Sequence, residues 1–524
     1  MLTELDIKKK LSEMTLEQKL GHLIICRDNS LAGGPGKEFL LDKLRRGCVG
    51  GIQVPERANT RELIAEAKAT APNPVLLCAD MEHGVPIEEA HKLPGTITLS
   101  SADDEKLAYE FGRITAIEAK DIGYNLVWGP VVDIAPGLRG LGLDPYKTAK
   151  YAELIARGYM DEGLFCTPKH FPGSGGIFYD THMYFDAKSE KDEKELLECD
   201  LVPYLEMMKH SALIGIMTSH NRFPKIDPEY PASLSEKIIS IIRNAGYDGL
   251  ILTDSFAMMG VLDEFGDERS IAYAIRAGND MVLPNYRISY EQSLKYVENA
   301  YNSGIITPER LDDAVRHILI AQDFAQKPAS RSTLSDEQLE YIEKMNESSI
   351  CAITDDGVQP YIEKDKKHLF VVLTENLYLN KSGVPFEFSP SSRWKPDEIC
   401  KQISDEFPDS TIVRINEFPN PGQILEVCKA YPSHDDIIFL TYCKCLAYGG
   451  SDGLTERVLT LMDATKGKLA AIAHMGTPNT LESAPHSPRV IWSNPGQKST
   501  ENMIDILSGK LEPKGKLPYK LNLK

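Results

Sequence analysis

The sequence lacks a long apolar segment, and no run approaches the roughly 18 consecutive apolar residues that a membrane-spanning helix needs. Residues 1–6 also lack the basic stretch and the apolar core that begin a secretory signal. These absences predict a cytoplasmic protein with no membrane partner.

Positive charge is scarce as well. The chain has 58 Lys and Arg against 77 Asp and Glu, which gives a formal net charge of −19. Its basic residues form no block beyond short groups such as Lys8 to Lys10. Because binding to nucleic acid depends on a basic surface, nucleic acid is not an expected partner.

Close-spaced cysteines are nearly absent. The ten cysteines are spread thinly, and Cys26, Cys78 and Cys166 lie inside apolar runs, as reduced core cysteines do. Only Cys443 and Cys445 stand close together, with no second Cys or His cluster nearby. A zinc site needs such a cluster, so we expect no metal and no cofactor.

What the sequence does contain is a repeated strand pattern. Hydrophobic residues make up 42% of the 524 residues, so a folded core of about two domains is expected. Eight short apolar runs recur within residues 20–285, most of them followed by a break and a helical stretch: 23–26, 51–54, 75–79, 124–128, 163–166, 213–217, 249–252 and 280–283. Buried parallel strands that alternate with helices predict a (β/α)8 TIM-type barrel over residues 1–330.

Polar residues follow five of these runs. They are Asp80, Asp133, Lys169 with His170, His220 and Asp254. A single Asp or His after a strand is typical of a helix cap, but five of them favour an active site, which a barrel builds at the carboxyl ends of its strands.

A polar stretch opens at about Gln326 and predicts a linker. Beyond it, residues 331–524 carry a second set of strand-like runs, at 369–373, 411–415, 437–441, 469–473 and 490–492. We expect a smaller α/β sandwich domain there. It lacks a comparable cluster of acids and histidines, so the chemistry is assigned to the first domain.

Two segments favour glycoside hydrolysis. Asp254 directly follows an apolar run and can serve as a nucleophilic carboxylate. His182 can act as acid and base if Asp180, two residues earlier, fixes its tautomer, and glycine-rich residues 173–176 precede this pair.

The segments of the first domain, taken together, resemble glycoside hydrolase family 3 in its β-N-acetylglucosaminidase branch. The resemblance rests on MTLEQKLG at 14–21, DxExG at 80–84, GPVVD at 129–133, RxxGxDP at 139–145, KHFPGxG at 169–175 with the later DxH, PASLS at 231–235, TD at 253–254 and AGxDM at 277–281. PKGKLP at 513–518 is similar to the closing segment of two-domain members.

The resemblance implies a retaining, exo-acting enzyme that releases a terminal β-linked N-acetylglucosamine-type sugar through a covalent intermediate on Asp254. It implies that His182 with Asp180 replaces the usual carboxylic acid/base. It further implies that Asp80, Arg139, Lys169 and His170 bind the sugar.

Three positions depart from the branch. Glu88 stands where the branch has Arg, Ser174 where it has His, and Gly176-Ile177 where it has Asp-Thr. Exchanging a guanidinium for a carboxylate reverses the charge and the hydrogen-bond direction, so Glu88 is a candidate specificity residue and the exact sugar stays open.

Other readings of these residues stay open too. Lys169 could form a Schiff base, residues 173–176 could cradle a phosphate, and the chain could be a sugar-binding relative without activity. The molecule that accepts the sugar could be water or phosphate. Phosphate as the acceptor would make the enzyme a phosphorylase. The sequence does not indicate an oligomeric state.

Overall fold

The computed structural model describes residues 2–27, 36–54, 59–177, 181–184, 186–379, 385–388, 394–443 and 453–524, with the backbone alone at 375–379 and 385–388. Asp180 and Cys445 therefore lie outside the described residues. No helix in the described part of the chain combines the length and the apolar character needed to cross a bilayer.

The chain divides into two compact units. The first contains Met1–His91, Glu105–Ala135 and Leu143–Leu339. The second contains Lys92–Asp104, Pro136–Gly142 and Glu340–Lys524. Two short segments from the first half of the sequence thus belong to the second unit.

The first unit alternates strands and helices. Its described strands are β1 Ile25–Arg27, β2 Gly51–Gln53, β3 Leu76–Asp80, β4 Leu126–Trp128, β5 Phe165–Cys166, β6 Lys169–Phe171, β7 Gly215–Thr218, β8 Leu250–Ser255 and β9 Met281–Leu283. Its described helices are α1 Glu4–Glu13, α2 Leu16–His22, α3 Lys37–Arg45, α4 Thr60–Thr70, α6 Glu105–Ile122, α7 Pro145–Asp161, α8 Glu193–Glu198, α9 Val202–Lys209, α10 Glu236–Asn244, α11 Met259–Ala277, α12 Tyr290–Asn302 and α13 Pro308–Ala325.

These strands form two parallel sheets, β1 to β5 and β6 to β9, each in sequence order. The sheets are hydrogen-bonded to each other at both ends. Val282 N donates to Leu23 O at 2.8 Å on one side, and Lys169 N of β6 donates at 3.0 Å to the oxygen of Pro130, which follows β4, on the other. The expected α/β class with parallel strands is confirmed.

One local expectation was wrong. Lys169 and His170 follow the fifth apolar run, which predicts a loop leaving the fifth strand, but they lie on a strand of their own, β6. The chain between β5 and β6 keeps extended pairing, because Thr167 N donates to Val127 O at 3.1 Å. Lys169 and His170 therefore have the positional precision of a sheet.

The second unit is built around one mixed sheet. Its described strands are β10 Ile350–Thr354, β11 His368–Leu379, β12 Pro385–Phe388, β13 Thr411–Asn416, β14 Asp436–Tyr442, β15 Leu469–Met475 and β16 Arg489–Ser493. Its order is β10-β16-β15-β14-β11-β12, with β13 beside β11. The helices in or leading into this unit are α5 Ile97–Ala102, α14 Asp336–Ser348, α15 Pro396–Glu406, α16 Pro421–Ala430, α17 Glu456–Thr465 and α18 Ser499–Leu507. Each of the five strand-like runs predicted there lies within a strand.

Burial along the strands of the first unit explains where its polar groups gather. Leu76, Leu77 and Cys78 on β3 have no exposed surface, as expected for a parallel strand covered on both faces. Asp80 at the carboxyl end of β3 is exposed. β8 has the same burial pattern, with Leu250 to Thr253 buried and Asp254 partly exposed.

Candidate active site

Asp254 lies at the carboxyl end of β8 with 21% of its side chain exposed. Its Oδ1 accepts a hydrogen bond from Ser255 N at 2.7 Å. Burial alone would raise the pKa of Asp254, but His170, His220, the Ser255 N–H and Lys169 outweigh burial and lower that pKa. The carboxylate is thus ionised at neutral pH, as a nucleophile requires.

His170 links Asp254 to a second acid. Its Nε2 lies 3.8 Å from Asp254 Oδ2, and its Nδ1 lies 2.7 Å from Asp133 Oδ2. The backbone N of His170 also donates to Asp133 Oδ1 at 3.2 Å. Asp133 therefore fixes both the backbone and the ring of His170, and directs Nε2 toward Asp254.

Lys169 lies between two carboxylates of the β3 end. Its buried Nζ is 2.5 Å from Asp80 Oδ1 and 3.0 Å from Glu82 Oε1. Asp80 keeps 56% of its side chain exposed, so it can accept hydrogen bonds from a polar ligand. Two acids around one buried cation favour an ion-paired, protonated lysine over a Schiff-base nucleophile.

His220 supports the backbone next to Asp254. Its Nε2 lies 3.0 Å from Ser255 O, and its Nδ1 lies 2.8 Å from Ser233 Oγ. Burial lowers the pKa of His220, and the neighbouring imidazoles of His170 and His182 lower it further against the charge of Asp254. A neutral His220 can donate from Nε2 to the Ser255 carbonyl and accept from Ser233.

His182 lies beside the start of α11, the helix that follows Asp254. Met259 N donates to His182 O at 3.4 Å, and Gly260 N donates to Thr181 O at 3.2 Å. The side chain of His182 is partly exposed. The expected pairing of His182 with Asp180 stays a prediction, because Asp180 is not described.

The glycine-rich turn after β6 is held by side chains from later segments. Gly175 N donates to Asp200 Oδ1 at 2.8 Å, and Ser189 Oγ donates to Gly175 O at 2.7 Å. Ser174, which replaces the histidine of the branch, is buried and donates to Ile134 O at 2.9 Å. In this chain, position 174 stabilises the turn.

Arg139 and Glu88 are the two remaining residues expected at the sugar site. Arg139 belongs to the second unit, and its side chain is exposed. Its backbone oxygen accepts a hydrogen bond from Thr96 Oγ1 at 2.7 Å. Glu88 is exposed on the segment after β3, whereas the acids of that segment that contact Lys169 are Asp80 and Glu82. The sugar-binding roles of Arg139 and Glu88 stay predictions.

Sequence reasoning missed several members of the cluster. Asp133 and His220 were recognised as strand-end residues but were given no role. Glu82 was missed, although it is the second acid of the DxExG motif. Asp200 carries no local signal, because its partner Gly175 lies 25 residues away.

One further group of side chains has the spacing of metal ligands within the described residues: Asp280, Asp313 and His317. Asp280 is fully buried and already pairs with Arg310 at 2.5 Å and Arg243 at 3.2 Å. Burial would raise the pKa of Asp280, but His317 and the two arginines lower it to about 2. Two guanidinium groups on one carboxylate favour a structural ion-pair network over a cation site.

Comparison with known proteins indicates the same family as the sequence motifs. A family model described as the glycosyl hydrolase family 3 N-terminal domain matches residues 15–321. A β-hexosaminidase of Idiomarina loihiensis is 30% identical over 237 residues, which are 43% of this chain and 71% of that protein.

Two solved structures share the fold. A family 3 β-N-acetylglucosaminidase from Paenibacillus sp. str. FPU-7 has a TM-score of 0.81 at 23% identity, covering 98% of this chain and 100% of that one. The β-glucoside phosphorylase BglX has a TM-score of 0.83 at 21% identity, covering 99% and 96%. These likenesses extend over both units of the chain.

Proposed function

We propose that this chain, which belongs to glycosyl hydrolase family 3 and is a glycosidase, is a retaining, exo-acting enzyme. The sugar that it is proposed to release is terminal β-linked N-acetylglucosamine. The observation that carries the proposal is the ionised Asp254 at the end of β8, faced by His170 at 3.8 Å. The names of its relatives support the sugar.

The first half-reaction forms a covalent glycosyl-enzyme. Asp254 attacks the anomeric carbon, and the bond from that carbon to the leaving oxygen breaks. His182, held by Asp180, donates its proton to the leaving oxygen. Ionisation of Asp254 supports this role, since a protonated carboxyl group would be a poor nucleophile.

The second half-reaction returns the enzyme to its starting state. His182, now neutral, takes a proton from water while the water oxygen attacks the anomeric carbon. The bond to Asp254 breaks, and the sugar leaves with retained configuration. We propose water as the acceptor, because the family and the named hexosaminidase relatives are hydrolases.

The sugar itself would be held by the polar groups around the nucleophile. Asp80 is half-exposed and can accept from sugar hydroxyls, while Lys169 and His170 can donate to them. Arg139 and Glu88 are further proposed contacts, which the resemblance alone supports.

We also propose that the two parallel sheets form one closed (β/α)8 barrel, in which β5 and β6 are halves of the fifth strand, followed by an α/β sandwich. The hydrogen bonds between the sheets at Val282–Leu23 and Lys169–Pro130 support closure. In such a barrel the ends of β3, β6 and β8 surround one mouth.

A panel of 4-nitrophenyl glycosides tests the proposal directly. We expect the highest kcat/KM on the β-N-acetylglucosaminide, with lower values on the β-glucoside and β-glucosaminide, and free sugar as product with or without phosphate. Asp254→Asn is the matched control and should be inactive. A sugar 1-phosphate as the main product would overturn the hydrolase proposal, and sugar binding without turnover of any glycoside would indicate a silent relative.

A further inference from the structure

We propose that Asp200 is a positioning residue for the proton-transfer side of this reaction. Its carboxylate joins the turn at Gly173–Gly175 to the cation of Lys191. This turn begins the segment that leads to His182. The inference rests on the proposed function, because it takes His182 as the acid/base.

The clamp is a fully buried carboxylate with a donor on each oxygen. Asp200 Oδ1 accepts from Gly175 N at 2.8 Å, and Asp200 Oδ2 accepts from Lys191 Nζ at 2.5 Å. Asp200 has no exposed surface, whereas Lys191 keeps 27% of its side chain exposed. A buried carboxylate is costly without such partners, so the fold strongly favours keeping both contacts.

The turn fits closely against this carboxylate. A Cβ on Gly173 would lie 2.6 Å from Asp200 Cβ, and Gly173 has φ +120°. Gly175 has φ +60°, and its carbonyl is bound by Ser189 Oγ from the same segment as Lys191. Glycine is needed at both positions, for the close approach and for the left-handed backbone.

The clamped turn touches the reacting cluster on one side and leads to His182 on the other. Gly173 N donates to His170 O at 2.7 Å. His170, however, has a separate anchor in Asp133, which binds both its backbone N and its ring. Loosening the turn should therefore leave the ring of His170 in place, whereas the segment that carries His182 would lose one of its two anchors.

The far end of this segment is held separately, by the contacts of Thr181 and His182 with the start of α11. Asp200 thus anchors the end of this segment that lies next to β6. Displacement of a catalytic group by about 1 Å can cost roughly 100-fold in rate, so such an anchor matters for proton transfer.

The test compares leaving groups in Asp200→Asn and Lys191→Met. An aryl glycoside with a 4-nitrophenyl leaving group needs little protonation, whereas a 4-methoxyphenyl glycoside needs more. We expect each variant to lose about tenfold more kcat/KM on the 4-methoxyphenyl substrate than on the 4-nitrophenyl one. Lys191→Met gives the answer if Asp200→Asn does not fold.

Lys19→Met is the matched control. It removes another short lysine–aspartate pair, 2.6 Å from Lys19 Nζ to Asp312 Oδ1, which joins α2 to α13. This variant should show equal kcat/KM changes on both substrates, because that pair does not touch the turn.

His182→Ala separates failure of the inference from failure of the proposed function. If His182→Ala is sensitive to the leaving group and folded Asp200→Asn and Lys191→Met are not, the clamp has no role in proton transfer. If His182→Ala itself shows equal losses on both substrates, the acid/base assignment fails and the inference falls with it. In the double variant, Asp200→Asn should add no further leaving-group sensitivity to His182→Ala.

Discussion

His170 lies between two carboxylates, with Nε2 3.8 Å from Asp254 Oδ2 and Nδ1 2.7 Å from Asp133 Oδ2. The arrangement has an electrostatic consequence. Burial raises the pKa of Asp254, and the electrostatic interaction with His170 is the largest of the effects that lower it. Asp133 therefore acts on Asp254 through the imidazole.

The first prediction is that His170→Gln moves the acidic limb of the kcat/KM profile to higher pH. Burial raises the pKa of Asp254 and His170 opposes it, so removing the imidazole should raise that pKa. Loss of the proposed hydrogen bond to the sugar should also lower kcat/KM roughly 3- to 10-fold at neutral pH. The pH dependence of kcat/KM measures both effects.

His210→Gln is the control for that variant, since His210 is half-exposed and also binds an acid, with Nδ1 2.6 Å from Glu153 Oε2. It should leave the profile unchanged. An acidic limb that stays in place in His170→Gln would mean that His170 does not influence Asp254.

The second prediction concerns specificity. If Glu88 lines the sugar site, Glu88→Arg should raise the ratio of kcat/KM for the β-N-acetylglucosaminide over the β-glucosaminide, because arginine repels the free amine that a carboxylate tolerates. Glu38→Arg, which makes the same charge change at an exposed position on α3, is the matched control. An unchanged ratio in Glu88→Arg would place Glu88 away from the sugar.

The third prediction concerns acid stability of the second unit. His474 has no exposed surface, with Nδ1 2.8 Å from Thr441 Oγ1 and Nε2 3.1 Å from Thr477 O. Burial lowers the pKa of His474 from 6.5 to about 4. The unfolded chain therefore binds this proton at higher pH than the folded chain does, and stability falls as pH drops through that window.

The expected loss of unfolding free energy between those two pH values is about 3 kcal/mol. It can be measured by denaturant unfolding followed by tryptophan fluorescence in a Trp128→Phe background, which leaves Trp394 and Trp492 of the second unit. His474→Asn should flatten the pH dependence, whereas His486→Gln, at a half-exposed histidine, should not. A slope that persists in His474→Asn would contradict the prediction.

The strand-end residues could be predicted from sequence for a physical reason. A parallel strand buried on both faces needs a continuous apolar run, so the first ionisable residue after the run lies near its carboxyl end. This rule found Asp80, Asp133, His220 and Asp254 without any structure. It could not assign His220 its hydrogen bond to Ser255 O, because that contact depends on how neighbouring strand ends meet.

Other features leave no mark in the local pattern. The Asp200 clamp joins residues far apart in sequence, and the extended course of Lys169–Phe171 depends on pairing with β7. Residues 92–104 and 136–142 belong to the second unit, although no change of composition marks them in the sequence. Tertiary packing decides such features, and short-range patterns do not record it.

Trapping the covalent intermediate would show whether Asp254 is the nucleophile. A 5-fluoro N-acetylglucosaminyl fluoride reacts with a nucleophile through its good leaving group and slows the release of the sugar. Intact mass measurement followed by peptide mapping should find one sugar per chain, attached to Asp254, and none in Asp254→Asn. A chain that turns over N-acetylglucosaminides yet carries no label, or carries it on another acid such as Asp80, would show that Asp254 is not the nucleophile.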